Sequence, residues 1–209
     1  MATLVPTVAT AQSGPLAPRN ECTAPTGLAQ LDASLRSVAA TRDVAGLLEI
    51  VADSVKLDFG GGEGKHELEQ RLASSDYRLW DQLDALLKLG CGRTLSAGEY
   101  YYASWPWYFS KDLIPLDPYE AYIVTGSGVR LRTAPSLFAP INGSVSWDYV
   151  RAIGYSEETE EAPGFFRVET RSGQRGYIST DYLRSLVDYR LVAEEAGGEW
   201  KVTAFIAGD

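Results

Sequence analysis

Residues Ser54 to Phe59 alternate apolar and polar side chains, the period of a half-buried strand, and helical patterns flank them on both sides. A strand cannot leave its amides and carbonyls unpaired beside a packed helical core. Any fold of this chain must therefore bring strands from elsewhere in the sequence to Val55, Leu57 and Phe59. Upstream, Leu28, Leu31, Leu35 and Val38 recur at three- and four-residue steps, which predicts a helix ending near Ala40. Asp43 reads as the N-cap of a second helix, Val44 to Ala52, because its carboxylate can accept from the open amides of a first turn. Downstream, Gly60, Gly61 and Gly62 break the strand, and helical spacing resumes over Lys65 to Ala73 and Asp76 to Leu89.

The missing partners are at the far end of the chain. Tyr189 to Glu194 and Trp200 to Ile206 read as two strands turned at Gly197-Gly198, with Trp200, Val202, Ala204 and Ile206 on one apolar face. Between them and the helices, residues 119–185 read as five short strands: Ala121 to Thr125, Val129 to Arg132, Trp147 to Gly154, Phe165 to Thr170 and Gly176 to Ser179. The expected fold is α+β. A helical, three-stranded domain over residues 21–118 is completed by the hairpin of residues 186–209, with the β-module inserted between them. Residues 100–118 read as a linker, and the rings from Tyr100 to Phe109 either fill a seam there or form a binding platform.

Charge and rare residues remove several functions. A net charge of −9 has the wrong sign for a partner bound by neutralising phosphates, so no nucleic acid is expected. No uncharged apolar run reaches the roughly 18 residues of a membrane helix, so no span is expected. With His66 the only histidine, multi-histidine metal sites and most serine or thiol hydrolase machinery are excluded, and no metal or cofactor is expected. His66, at a helix start with Asp58 nearby, is either a general base or a surface side chain. No Lys-Ser/Thr pair follows the run from Gly60 to Gly64, so that run is a turn and not a phosphate loop. No catalytic residue is assigned. Cys22 and Cys91 form one disulfide in an oxidising compartment, or remain as two buried thiols. Residues 1–18 carry no charge and contain Ala9-Thr10-Ala11, so residues 1–20 are the end of a secretion signal or a flexible arm. A disulfide with a secretion signal means a periplasmic or secreted protein.

The phrase VTGSGVRLRTAPSLFAPINGSVSWDYVRAIG, residues 124–154, and the phrase FFRVETRSGQRGYISTDYL, residues 165–183, resemble bacterial Src-homology-3 domains. The matching features are the Arg-containing strand Val129 to Arg132, the turn at Thr133 to Ser136, the Gly-Tyr-Ile of Gly176 to Ile178 and the closing helical turn at Thr180 to Leu183. The resemblance implies a small closed barrel and a non-catalytic envelope protein that binds a cell-wall peptide or a segment of a partner protein. It also implies that Tyr122, Trp147, Tyr149, Tyr177 and Tyr182 approach the peptide face, with Arg130 and Arg132 set to pair with a peptide carboxylate. The acidic insertion Glu157 to Glu161 departs from that pattern beside the ligand groove. Residues 41–72 and 188–209 resemble nuclear-transport-factor-2-like domains, whose cone-shaped sheet implies the alternative, a small-molecule or enzymatic site. A deep pocket lined by Asp58 and His66 distinguishes that alternative from a filled cone.

Overall fold

The computed structural model describes residues 14–24, 26–96, 100–153 and 163–208. The elements begin with helices α1 (Thr26–Thr41) and α2 (Val44–Ile50), strand β1 (Val51–Lys56), and helices α3 (Lys65–Ala73) and α4 (Leu79–Leu89). Strands β2 (Gly92–Ser96), β3 (Tyr100–Trp105), β4 (Ala121–Val124), β5 (Val129–Arg132), β6 (Ile141–Val145) and β7 (Tyr149–Ala152) follow. The last are β8 (Phe165–Thr170), β9 (Arg175–Ser179), β10 (Leu183–Ser185), β11 (Arg190–Ala196) and β12 (Glu199–Ile206). Contacts divide the chain into an α+β unit, Pro18–Tyr119 with Leu186–Asp209, and a β unit, Glu120–Ser185 with the described residues of the first seventeen.

The α+β unit holds a five-stranded sheet in the order β1-β12-β11-β3-β2. β12 runs parallel to β1, and the hairpin β11-β12 joins it to β3, so the strand between helices takes its partners from the end of the chain. Asp43 caps α2 by accepting from the Gly46 amide at 3.0 Å. The helix stops at Ile50 instead of Ala52, and the strand begins at Val51, ahead of the expected Ser54. Beyond Lys56 the chain leaves β12: the Leu57 amide donates to the Gly62 carbonyl, and Phe59 is exposed on the resulting loop.

The aromatic run does not act as a linker. Its first part is β3, hydrogen-bonded on both edges, to β11 and β2, with Ala103 and Trp105 fully buried. A second correction lies in β12. Val192 faces Ala204 while Ala193 faces Val202, so Thr203 is an extra residue in the ladder. That bulge reverses the alternation, and Phe205 joins Trp200 and Val202 in the core in place of Ala204.

A disulfide joins Cys22 to Cys91, with Cα atoms 5.7 Å apart and both residues buried. It ties the chain before α1 to the end of α4, where the Glu21 amide also donates to the Cys91 carbonyl.

The β unit is an antiparallel sheet in the order β10-β4-β7-β8-β9-β5-β6. Its core is Val124, Val129, Leu131, Val145, Val150, Val168 and Ile178. The expected barrel does not close: among the described residues β10 and β6 end the sheet and are not paired with each other. Those two strands were not in the expected set. β6 carries Asn142-Gly143 inside the strand, where the Gln174 side chain lies over Gly143 and donates to the Asn142 carbonyl. Leu16 is 2% exposed and its amide donates to the Trp147 carbonyl, so residues 14–17 are not a free arm. Ala9-Thr10-Ala11 and the acidic insertion Glu157 to Glu161 lie outside the described residues.

The cross-link closes a 69-residue loop, which in the chain-entropy model stabilises the fold by about 4 kcal/mol. The double substitution Cys22→Ser, Cys91→Ser should lower the free energy of urea unfolding by that amount. Thiol titration of the denatured, unreduced wild type should find no free thiol.

Candidate functional site

Three of the residues singled out in the sequence lie together. Arg130, Arg132 and Tyr182 line a groove of about 320 Å³ on the β unit, with Val129, Leu137, Phe165 and Ser179 completing its wall. Two arginines lie in the same short strand, β5, but they play different parts. Arg132 is 7% exposed and donates to the Ala139 carbonyl at 2.8 Å, which fixes the loop between β5 and β6. Arg130 is exposed and, among the described residues, has no ion-pair or hydrogen-bond partner. A guanidinium in that state keeps all five donors for a ligand.

The loop that Arg132 holds carries the groove's apolar rim. The Thr133 amide donates to the Pro140 carbonyl, and the Phe138 amide donates to the Ser136 hydroxyl, so the loop is built by hydrogen bonds. It presents Leu137 at 66% exposure beside Tyr182 at 48%, an arrangement that leaves apolar surface open to a partner. Tyr182 sits in a single turn of 3-10 helix, Thr180–Tyr182, directly after β9. Leu137, Phe165 and Ser179 were not singled out in the sequence, since their place in the groove depends on how β5, β8 and β9 are brought together.

The remaining four expected residues do not join this groove. Tyr122 packs on Phe166 with ring centroids 5.3 Å apart and lies against the core. Trp147 occupies the turn before β7 with φ at 44°, its amide donating to the Gly126 carbonyl. Tyr177 lies in β9 opposite Arg132 and Arg167. Tyr149 lines a second groove, with Asp148 and Arg171.

In the α+β unit the sequence pointed to Asp58 and His66, which the structure keeps apart in role. One Asp58 carboxylate oxygen accepts from the Gly60 and Gly62 amides at 2.7 and 2.8 Å, and the other from Arg71. Arg71 also donates to Glu67 and to the Leu57 carbonyl, so the group is a knot that shapes the loop after β1. His66 is exposed on α3, within 3.2 Å of Gln70. A cavity of about 310 Å³ in this unit lies elsewhere, lined by Phe109, Ile114, Leu116, Leu186, Val187 and Arg190 among others. Deeper in, buried Asp32 accepts from the Trp105 indole at 3.0 Å, from Asn20 and from Arg36, a fully partnered charge that helical spacing alone did not mark.

No family model matches this chain, and no curated protein matches it. Among solved structures, a protein of unknown function with a cystatin-like fold from Nostoc punctiforme PCC 73102 is similar over 87% of this chain and 86% of that one. The identity is 12% and the TM-score 0.25, and no residue role is transferred from it.

Hydrogen bonds from Arg71 and from the Gly62 and Gly60 amides hold the Asp58 carboxyl down to about 2, from an ordinary 3.8. A depressed carboxyl contributes stability that is complete above its unfolded value and lost as the pH falls through the folded one. Stability should therefore fall between pH 3.8 and about 2, and Asp58→Asn should flatten that part of the profile in urea melts at a series of pH values.

Proposed function

We propose that this is a non-catalytic binding protein of the bacterial cell envelope, whose Src-homology-3-like β unit takes an extended peptide in the groove of Arg130 and Tyr182. One observation carries the reading: Arg130, whose guanidinium has no partner among the described residues, stands at the wall of a groove whose other walls include Leu137, Phe165 and Tyr182. Apolar peptide side chains lie against those rings and methyls, and a peptide carboxylate pairs with the guanidinium, a charge-assisted contact. The ligand is a cell-wall stem peptide or a segment of an envelope partner; both offer an extended backbone with a carboxylate.

The order of the strands supports the likeness to Src-homology-3 modules, although the sheet stays open. Val129–Arg132, Phe165–Thr170 and Arg175–Ser179 are followed by the short turn Thr180–Tyr182, as in that family's ending. A buried disulfide favours a periplasmic or secreted location. Among the described residues no helix is long and apolar enough to cross a membrane. The alternative, a small molecule held in the α+β unit, would use the cavity at Phe109 and Arg190, since the oxygens of Asp58 are already taken.

Arg130 is exposed, so its replacement leaves the fold intact. In co-sedimentation with purified peptidoglycan and in capture of envelope peptides, Arg130→Glu should weaken binding at least about tenfold. Wild-type binding that survives this substitution unchanged contradicts the reading.

A further inference from the structure

We propose that the second groove on the β unit, built around Tyr149, binds a saccharide. It has an open volume of about 430 Å³ and shares no lining residue with the groove of Arg130 and Tyr182. Ser144, Asp148, Tyr149, Thr170, Arg171 and Ser172 form most of its wall, so nearly every side chain facing it carries a hydrogen-bonding group.

The argument turns on two charges that do not meet. Asp148 and Arg171 line the same groove, yet neither makes an ion pair with any described residue, including the other. One Asp148 oxygen accepts from the Tyr149 amide at 2.9 Å, and the second has no protein donor among the described residues. The exposed Arg171 guanidinium lies 5.8 Å from the centre of the Tyr149 ring. A simple anion at this place would be repelled by Asp148, and a simple cation by Arg171. A neutral ligand with neighbouring hydroxyls suits both, because a hydroxyl donates to the carboxylate and accepts from the guanidinium. The half-buried Tyr149 ring adds an apolar face for the C–H side of a pyranose.

The wall is held in shape before any ligand arrives. The turn from β8 to β9 closes with the Gly173 amide on the Thr170 carbonyl and the Thr170 amide on the Gln174 carbonyl. The Thr170 and Ser172 hydroxyls lie 3.0 Å apart, and the Gln174 side chain donates to the Asn142 carbonyl, which locks this turn to β6. Ser146 accepts from the Gly128 amide at 2.8 Å, fixing the opposite side. An open, pre-formed polar groove with a single ring implies a weak, specific site, with a dissociation constant of about 1 mM.

The test is titration of the full chain with chitotriose, cellotriose and maltotriose, followed by saturation-transfer difference NMR, with inorganic phosphate as the contrasting probe. At least one trisaccharide should bind saturably, and both Tyr149→Ala and Arg171→Ala should weaken it at least about tenfold. Arg130→Glu should leave sugar binding unchanged, which separates this site from the peptide groove. Arg171 is exposed at a turn, so its variant reports on the site even if Tyr149→Ala fails to fold. No saturable binding of any of the sugars, or binding that Arg171→Ala leaves intact, overturns the proposal. Binding of phosphate alone, lost in Arg171→Ala, marks an anion site and overturns it as well.

Discussion

The pairing of β1 with β12 is the contact on which the α+β unit depends. β1 sits between helices, and the chain beside it serves only its far end, where the Val55 carbonyl accepts from the Gly64 amide and Lys56 bridges to Glu63; the rest of the ladder comes from β12. The pairing spans from Val51 to Val202, across the whole intervening β unit, so the first domain is complete only when the last strand has returned to it. The core records the same closure. Leu28, Leu35 and Leu83 from the helices pack in one cluster with Leu191, Trp200, Val202 and Phe205 from the hairpin.

Much of this was legible in the sequence because it depends on local chemistry or on periodicity. Asp43 announced a helix start through its capping geometry, and the spacing of Leu28, Leu31 and Leu35 announced the buried face of α1. The turn at Gly197-Gly198 marked the hairpin, where both glycines adopt positive φ. What escaped was set by tertiary packing. The run from Tyr100 to Phe109 looked like a linker because rings serve seams and sheets equally, and only the edges offered by β11 and β2 decide for a strand. The bulge at Thr203 has no signature in a strictly alternating pattern, so Phe205 was missed as a core residue. β6 was missed because what holds it, its ladder with β5 and the Gln174 side chain on the Asn142 carbonyl, comes from elsewhere in the fold.

The candidate sites divide in the same way. A family pattern marked Arg130, Arg132 and Tyr182, and the fold brings them to one groove. It also marked Tyr122, which the fold spends on packing against Phe166. Which ring faces solvent and which faces the core is decided by strand pairing. In a unit this small the core takes most of its side chains from the same strands that shape the surface. That Arg130, Asp148 and Arg171 form no ion pair with any described residue is likewise a property of the assembled sheet, since it records which of the described charges the fold does not bring together.

The central claim, that the end of the chain completes the first domain, is tested by a chain that stops at Ser185. It lacks β11 and β12, and with them Leu191, Trp200, Val202 and Phe205 of the shared core, a loss of several kcal/mol that is comparable with a domain's whole stability. Far-ultraviolet circular dichroism on heating should then show no cooperative melt of helices α1 to α4. A helical melt as sharp as that of the full chain, at the same temperature, would contradict the account.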